Sequence, residues 1–165
     1  MNKKIIIAVF LLAAAAAVAW FFIAPNEKAK VKKQFASLSD LVSKEKGETN
    51  ISMALRANSI GNLFDDKCSF DFAKHDMEGI YTPEEITSHA ARGRAMFSKI
   101  SLKFYDINPE IENDNAMVDT TVRFYGEMKN SSKVYEDTRE IQCKLKKVEG
   151  KWKFSEFKVV EVLKK

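Results

Sequence analysis

The chain has 165 residues, 45% hydrophobic and 30% charged, with a formal net charge of +4. That size and balance suit one folded domain and give too small a cationic excess to argue for nucleic acid. Its two cysteines, Cys68 and Cys143, match no metal-ligand spacing. They read as buried small hydrophobes, or as a disulfide if the domain is exported and their strands lie side by side.

A short basic start, with Lys3 and Lys4, precedes residues 5–24, an apolar run without a charge. At about 1.5 Å per residue a helix of that length spans the ~30 Å hydrocarbon core of a bilayer. Trp20, Phe21 and Phe22 stand where interfacial aromatics anchor. A cleaved signal peptide ending near Ala17-Val18-Ala19 competes with this reading. The apolar run continues past that point through Ile23, which favours an uncleaved anchor. A very short tail before such a run predicts a signal-anchor, with the remaining domain outside the cytoplasm, periplasmic or on the cell surface. Lys28, Lys30, Lys32 and Lys33 then face anionic headgroups. The chain therefore divides into an anchor or signal segment, 1–25, and one domain, 26–165.

Helical period begins at Lys28 and runs to Lys46, with Val31, Phe35, Leu38 and Val42 on one face and Gly47 as C-cap. Asn50 is placed to cap a second helix. Its stripe of Ile51, Ala54, Leu55 and Asn58 is expected to face the core, and Gly61 closes it. A short strand is expected around Cys68 to Phe72, then a polar loop containing His75 and Asp76, then a brief strand at Ile80 and Tyr81. Thr82-Pro83-Glu84-Glu85 is a capping box with Pro at the first helical position. The helix it opens carries Ile86, Ala90, Gly93 and Phe97 on one face and is expected to end near Ser98. Arg92 and Arg94 are assigned to its solvated side.

Four long runs rich in β-branched and aromatic residues follow: Ile100 to Ile111, Ala116 to Glu127, Val134 to Lys146 and Trp152 to Val162. Short turns at Glu112–Asn115, Asn130–Ser132 and Glu149-Gly150 join them, which predicts an antiparallel meander. Strict alternation puts Leu102, Phe104 and Asp106 on one face of the first strand. In the third, Ile141, Cys143 and Leu145 share a face with Asp137 and Arg139, provided no bulge intervenes. The whole is an α+β domain of order ααββαββββ: three helices on a curved antiparallel sheet, cone-like, behind one transmembrane helix.

With Thr82-Pro83-Glu84-Glu85-Ile86 opening the third helix and Glu149-Gly150-Lys151-Trp152-Lys153-Phe154 opening the last strand, this order resembles the nuclear transport factor 2-like superfamily. SnoaL-like and ketosteroid-isomerase-like proteins belong to it. The resemblance covers Lys28 to Lys165. It implies a cone around a pocket and dimerisation through the outer sheet face. The function it implies is either isomerase, cyclase or dehydratase chemistry or non-catalytic binding. The anchor also resembles scaffold subunits of bacterial membrane assemblies.

Four residues are pocket candidates. An inward Arg139 keeps its charge and needs a carboxylate or an anionic ligand; Glu156, read on the Trp152 and Phe154 face, is the expected partner. Tyr81 is either a proton donor or an amphipathic side chain at the rim of the core. His89, on the stripe of Ile86 and Gly93, either titrates in the pocket or is a hydrogen-bonded core histidine. His75 beside Asp76 reads as a solvated loop pair, and no acid/base triad can be assembled from Asp71, Asp76, Asp119 or Asp137. No phosphate loop, Ser–His–Asp grouping or metal spacing is present, so neither cofactor nor metal is implied. The sequence leans towards a non-catalytic domain that binds a small molecule or a protein partner outside the cytoplasm. An isomerase- or cyclase-like enzyme and an assembly scaffold are the alternatives.

Overall fold

The computed structural model of the chain describes residues 27–72 and 77–160. The expected anchor at 5–24 lies outside them, as do His75, Asp76 and Val162. Among the described residues no helix is long and apolar enough to cross a membrane.

The first helix, α1, covers 27–42. Its Val31, Phe35 and Leu38 are buried as the period predicted. Helix α2 spans Asn50–Gly61, but its N-cap is Thr49, whose hydroxyl accepts from Ser52 N at 3.2 Å. The stripe expected to face the core does not: Ile51 and Leu55 are 76% and 64% exposed, and Ala57, Ile60 and Gly61 are buried instead. The cause lies at Gly61. A Cβ there would sit 2.7 Å from Pro83 O, so this end of α2 docks directly on the start of the next helix. The first turns project into solvent. Strand β1 (Phe64–Phe72) pairs with the short antiparallel β2 (Met77–Tyr81). Helix α3 (Pro83–Met96) opens on the predicted box: Thr82 Oγ1 accepts from Glu85 N at 3.3 Å, and Thr82 N donates to Glu85 Oε2 at 2.8 Å.

The meander follows as β3 (Phe97–Glu112), β4 (Asn115–Met128), β5 (Val134–Val148) and β6 (Lys151–Val159). One six-stranded sheet results, ordered β2-β1-β6-β5-β4-β3, and only the β1–β6 pair is parallel. The core joins Val31, Phe35 and Leu38 of α1 and Ile86 of α3 to Val118, Ile141, Cys143, Leu145, Trp152, Phe154 and Phe157 of the sheet.

Two of the register shifts in the sheet reverse which side chains face inward beyond them. In β3 the register slips between Tyr105 and Asn108, with Asp106 at φ 56°. Ile107 and Ile111 therefore pack on the core, and Asp106 is exposed. In β6, Lys144 faces Glu156 but Leu145 faces Phe154. Ser155 is the extra residue, so Trp152, Phe154 and Phe157 all point inward while Glu156 turns outward.

Arg94, assigned from sequence to the solvated side of α3, is 2% exposed. Its guanidinium pairs with Glu48 and donates to the carbonyls of Leu41 (2.6 Å) and Val42 (2.9 Å) at the end of α1. Reciprocally, Lys44 Nζ donates to Arg94 O (2.5 Å) and Phe97 O (2.8 Å) at the end of α3. Each helix thus receives a cation at its negative, carbonyl-bearing end, α1 from α3 and α3 from the segment that follows α1.

Replacing Arg94 with Met should cost about 2–4 kcal/mol, because the buried Glu48 loses its nearest counter-charge and keeps only Arg56, at 3.8 Å. Urea denaturation followed by circular dichroism checks this; a loss below about 1 kcal/mol would contradict the pairing. Gly61→Ala should cost about 1–3 kcal/mol through the clash with Pro83 and Thr87, and wild-type stability in that variant would rule out the close approach.

Candidate functional site

The concave face of the sheet, under α1 and α3, is built from aromatic rings. Phe35 of α1 meets Phe104 and Phe154 edge-on, at centroid separations of 5.2 and 5.1 Å. Phe70 stacks on Phe157 at 5.3 Å and meets Tyr81 edge-on at 5.6 Å. Beyond the fully buried core this surface continues into apolar side chains that are only partly covered, among them Phe70, Phe72, Leu102, Phe104 and Val122.

The polar members of this face are held by the protein itself. Thr120, 5% exposed, donates its hydroxyl to Tyr105 O at 2.6 Å. Arg139 shares the inner face with Ile141 and lies opposite Val122, but at the margin, its side chain 37% exposed. Its carboxylate is Asp137, at 2.9 Å, two residues along the same strand and face. Glu156, the partner expected from sequence, is carried to the outer face by the β6 bulge and pairs with Lys144 at 3.0 Å. Tyr81 is half-buried between Phe70 and His89. His89 lies on the exposed flank of α3, its ring edge-on to Tyr81 at 5.4 Å, and does not line the inner surface. Arg139, Glu156, Tyr81 and His89 therefore do not converge on one point.

The outer face carries a depression of about 570 Å³ lined by Asp106, Asp119, Thr121, Glu140, Gln142 and Val160. Gln142 Nε2 donates to Asp119 Oδ1 across the β4–β5 ladder at 2.9 Å. Among the described residues no group of His, Cys, Asp and Glu is arranged to hold a metal. Cys68 and Cys143 are both buried and free. Burial, aided by Asp65 and Glu156, pushes the Cys68 thiol up to about 12. Burial also raises Cys143 well above its ordinary value. Neither is poised as a nucleophile.

Glu27, at the start of α1, was not singled out from the sequence. Its Oε2 accepts from Trp152 Nε1 at 2.8 Å and pairs with Lys147 at 3.0 Å, while Oε1 pairs with Lys30 at 2.8 Å. The Lys30 ammonium foremost, then Lys147 and the Trp152 indole, hold the carboxyl at about 2 against the opposing effect of burial. The signal that could have found it is a buried tryptophan, whose indole N–H needs an acceptor. Arg94 had a signal too, since it continues the stripe of Ile86 and Ala90 by one more step of four.

With its carboxyl depressed from 4.5 to about 2, Glu27 contributes stability that is complete above its unfolded value and lost as pH falls between the two. The stability gap between wild type and Glu27→Gln should be widest near neutral pH and close over that acid window. Denaturation midpoints as a function of pH check this; a gap constant down to about pH 2 would refute the ionised contact.

No family model matches the chain, and no curated protein does. Solved structures do. The Kfla4162 protein from Kribbella flavida superposes with a TM-score of 0.68 at 12% identity, over 83% of this chain and 91% of its own. A candidate scytalone dehydratase from Novosphingobium aromaticivorans gives 0.67 at 13% identity, over 85% and 87%. The type 3 LinA hexachlorocyclohexane dehydrochlorinase from Novosphingobium barchaimii gives 0.60 at 12%, over 83% and 87%. At such identities the likeness concerns the fold alone: helices packed on a curved sheet.

Proposed function

We propose that this chain is a membrane-anchored, non-catalytic domain whose concave sheet face takes up an apolar small molecule outside the cytoplasm, with residues 5–24 as the anchor. The observation that supports this reading is the division of labour on that face. Its polar groups are engaged within the protein, Thr120 with Tyr105 and Arg139 with Asp137. Its partly covered members are apolar: Phe70, Leu102, Phe104 and Val122. Such a surface gains by covering hydrocarbon.

Chemistry is the competing reading, since two of the neighbours are named as a dehydratase and a dehydrochlorinase. An elimination needs a positioned base within hydrogen-bond reach of the proton it removes. Tyr81 and His89, the nearest approach to an acid/base pair, meet on the exposed flank of α3. The outer face, the expected site of a homodimer, carries cross-strand charge pairs, Arg123 with Glu136 and Lys144 with Glu156. A second copy or an assembly partner docking there would meet a polar surface.

The test is titration of the full chain in lipid nanodiscs with 1-aminoanthracene, empty nanodiscs being subtracted. Saturable binding is expected. Val122→Thr, which keeps the shape of the side chain but places a hydroxyl on the inner face, should weaken it about fivefold. Signal that never saturates, or that Val122→Thr leaves unchanged, would reject the concave face as the site.

A further inference from the structure

Glu27 fixes where the chain enters the domain. Its carboxylate is tied to Trp152 and Lys147, which face each other across the β5–β6 ladder just before and after the Glu149–Gly150 turn. Lys147 N also donates to Asp114 O at 2.8 Å, which places the β3–β4 turn at this same end. The apolar run closes at Ala24. Three residues of chain reach at most about 11 Å, so the run can meet the domain only here.

We propose that the end of the sheet formed by the β3–β4 and β5–β6 turns rests on phospholipid headgroups. The opposite end, with the β4–β5 turn and the Arg94–Glu48 pair, then points into the aqueous phase. This rests on the reading of residues 5–24 as an anchor and adds the surface by which the domain meets the bilayer. The charges at that end fit the partner. Lys28, Lys30, Lys32 and Lys33 of α1 and Lys146, Lys147 and Lys151 of the hairpin outnumber the acids beside them, Glu27, Asp65, Glu112, Asp114 and Glu149. Lysines at a membrane surface are drawn to anionic lipid. Val134 lies thirteen residues before Lys147 on β5, about 40 Å along the strand. Arg139 and Asp137 are nearer to Val134, so the margin of the concave face that they form opens away from the bilayer.

The experiment places one fluorophore on the full chain, at Lys151→Cys or at Ser132→Cys, both exposed positions. Buried Cys68 and Cys143 do not compete for the label. Each labelled protein is reconstituted into phosphatidylcholine–phosphatidylglycerol vesicles containing a lipid with a nitroxide on its headgroup. Quenching several-fold stronger at position 151 than at 132 is expected. Equal quenching, or the reverse order, in protein that resists alkaline carbonate extraction would overturn the orientation and leave the anchor standing. Protein that carbonate extracts from the vesicles would overturn the anchor, and the orientation with it.

Discussion

A buried arginine holds this fold together at one end. Arg94 brings a full positive charge into the protein, where an unpaired charge costs several kcal/mol. The cost is offset by Glu48 and by the terminal carbonyls of α1. Those partners come from two separate places, the end of α1 and the connection to α2, and Arg94 brings α3 to both. Lys44 repeats the arrangement in the other direction, and its backbone exchanges both hydrogen bonds with Ile100 at the start of the sheet. Two helices and the first long strand of the meander are thereby fixed to one another through charge and backbone. The register of the apolar core depends on that alignment.

At its other end α1 is tied by Glu27 to Trp152 and Lys147. Between the two polar ties run Val31, Phe35 and Leu38, all buried. The helix is therefore pinned at both ends and packed along its length, and it lies across the sheet as a fixed lid on the aromatic interior. A concave surface roofed in this way is set up before anything binds, which lowers the ordering cost of association. The same tie fixes the position at which α1 begins.

Local chemistry was legible in the sequence where it depends on neighbours in the chain. The capping box at Thr82, the stripe of α1, the hairpin at Glu149-Gly150 and the order of strands all follow from spacing, and the structure has them. Face assignments in the strands were legible only up to the first bulge. Nothing in the letters Tyr105-Asp106-Ile107 or Phe154-Ser155-Glu156 announces an extra residue, and one unrecognised insertion moves Glu156 from the inside to the outside. Misplacement of α2 has a different cause. Ile51 and Leu55 make a fair helical stripe, but the tertiary approach of Gly61 to Pro83 decides which face is covered. The candidate site suffered most, because the β6 bulge removed Glu156 from Arg139 and the contact of Tyr81 with His89 is set by packing. The two ties that organise the domain join residues far apart in sequence, Glu27 with Trp152 and Arg94 with Glu48, and pattern alone does not join them.

The parallel pairing of β1 with β6 orders events during synthesis. Strands β3, β4, β5 and β6 can zip together one after another as they appear, each beside the last. Strand β1 cannot join them: its neighbour on the core side is the final strand. Phe64, Phe70 and Phe157, which pack together in the finished domain, are separated by nearly the whole meander in the growing chain. Contacts of such long range are slow to close and leave apolar surface open meanwhile. Phe64 and the side of Phe70 that meets Phe157 therefore stay uncovered until the last strand has emerged.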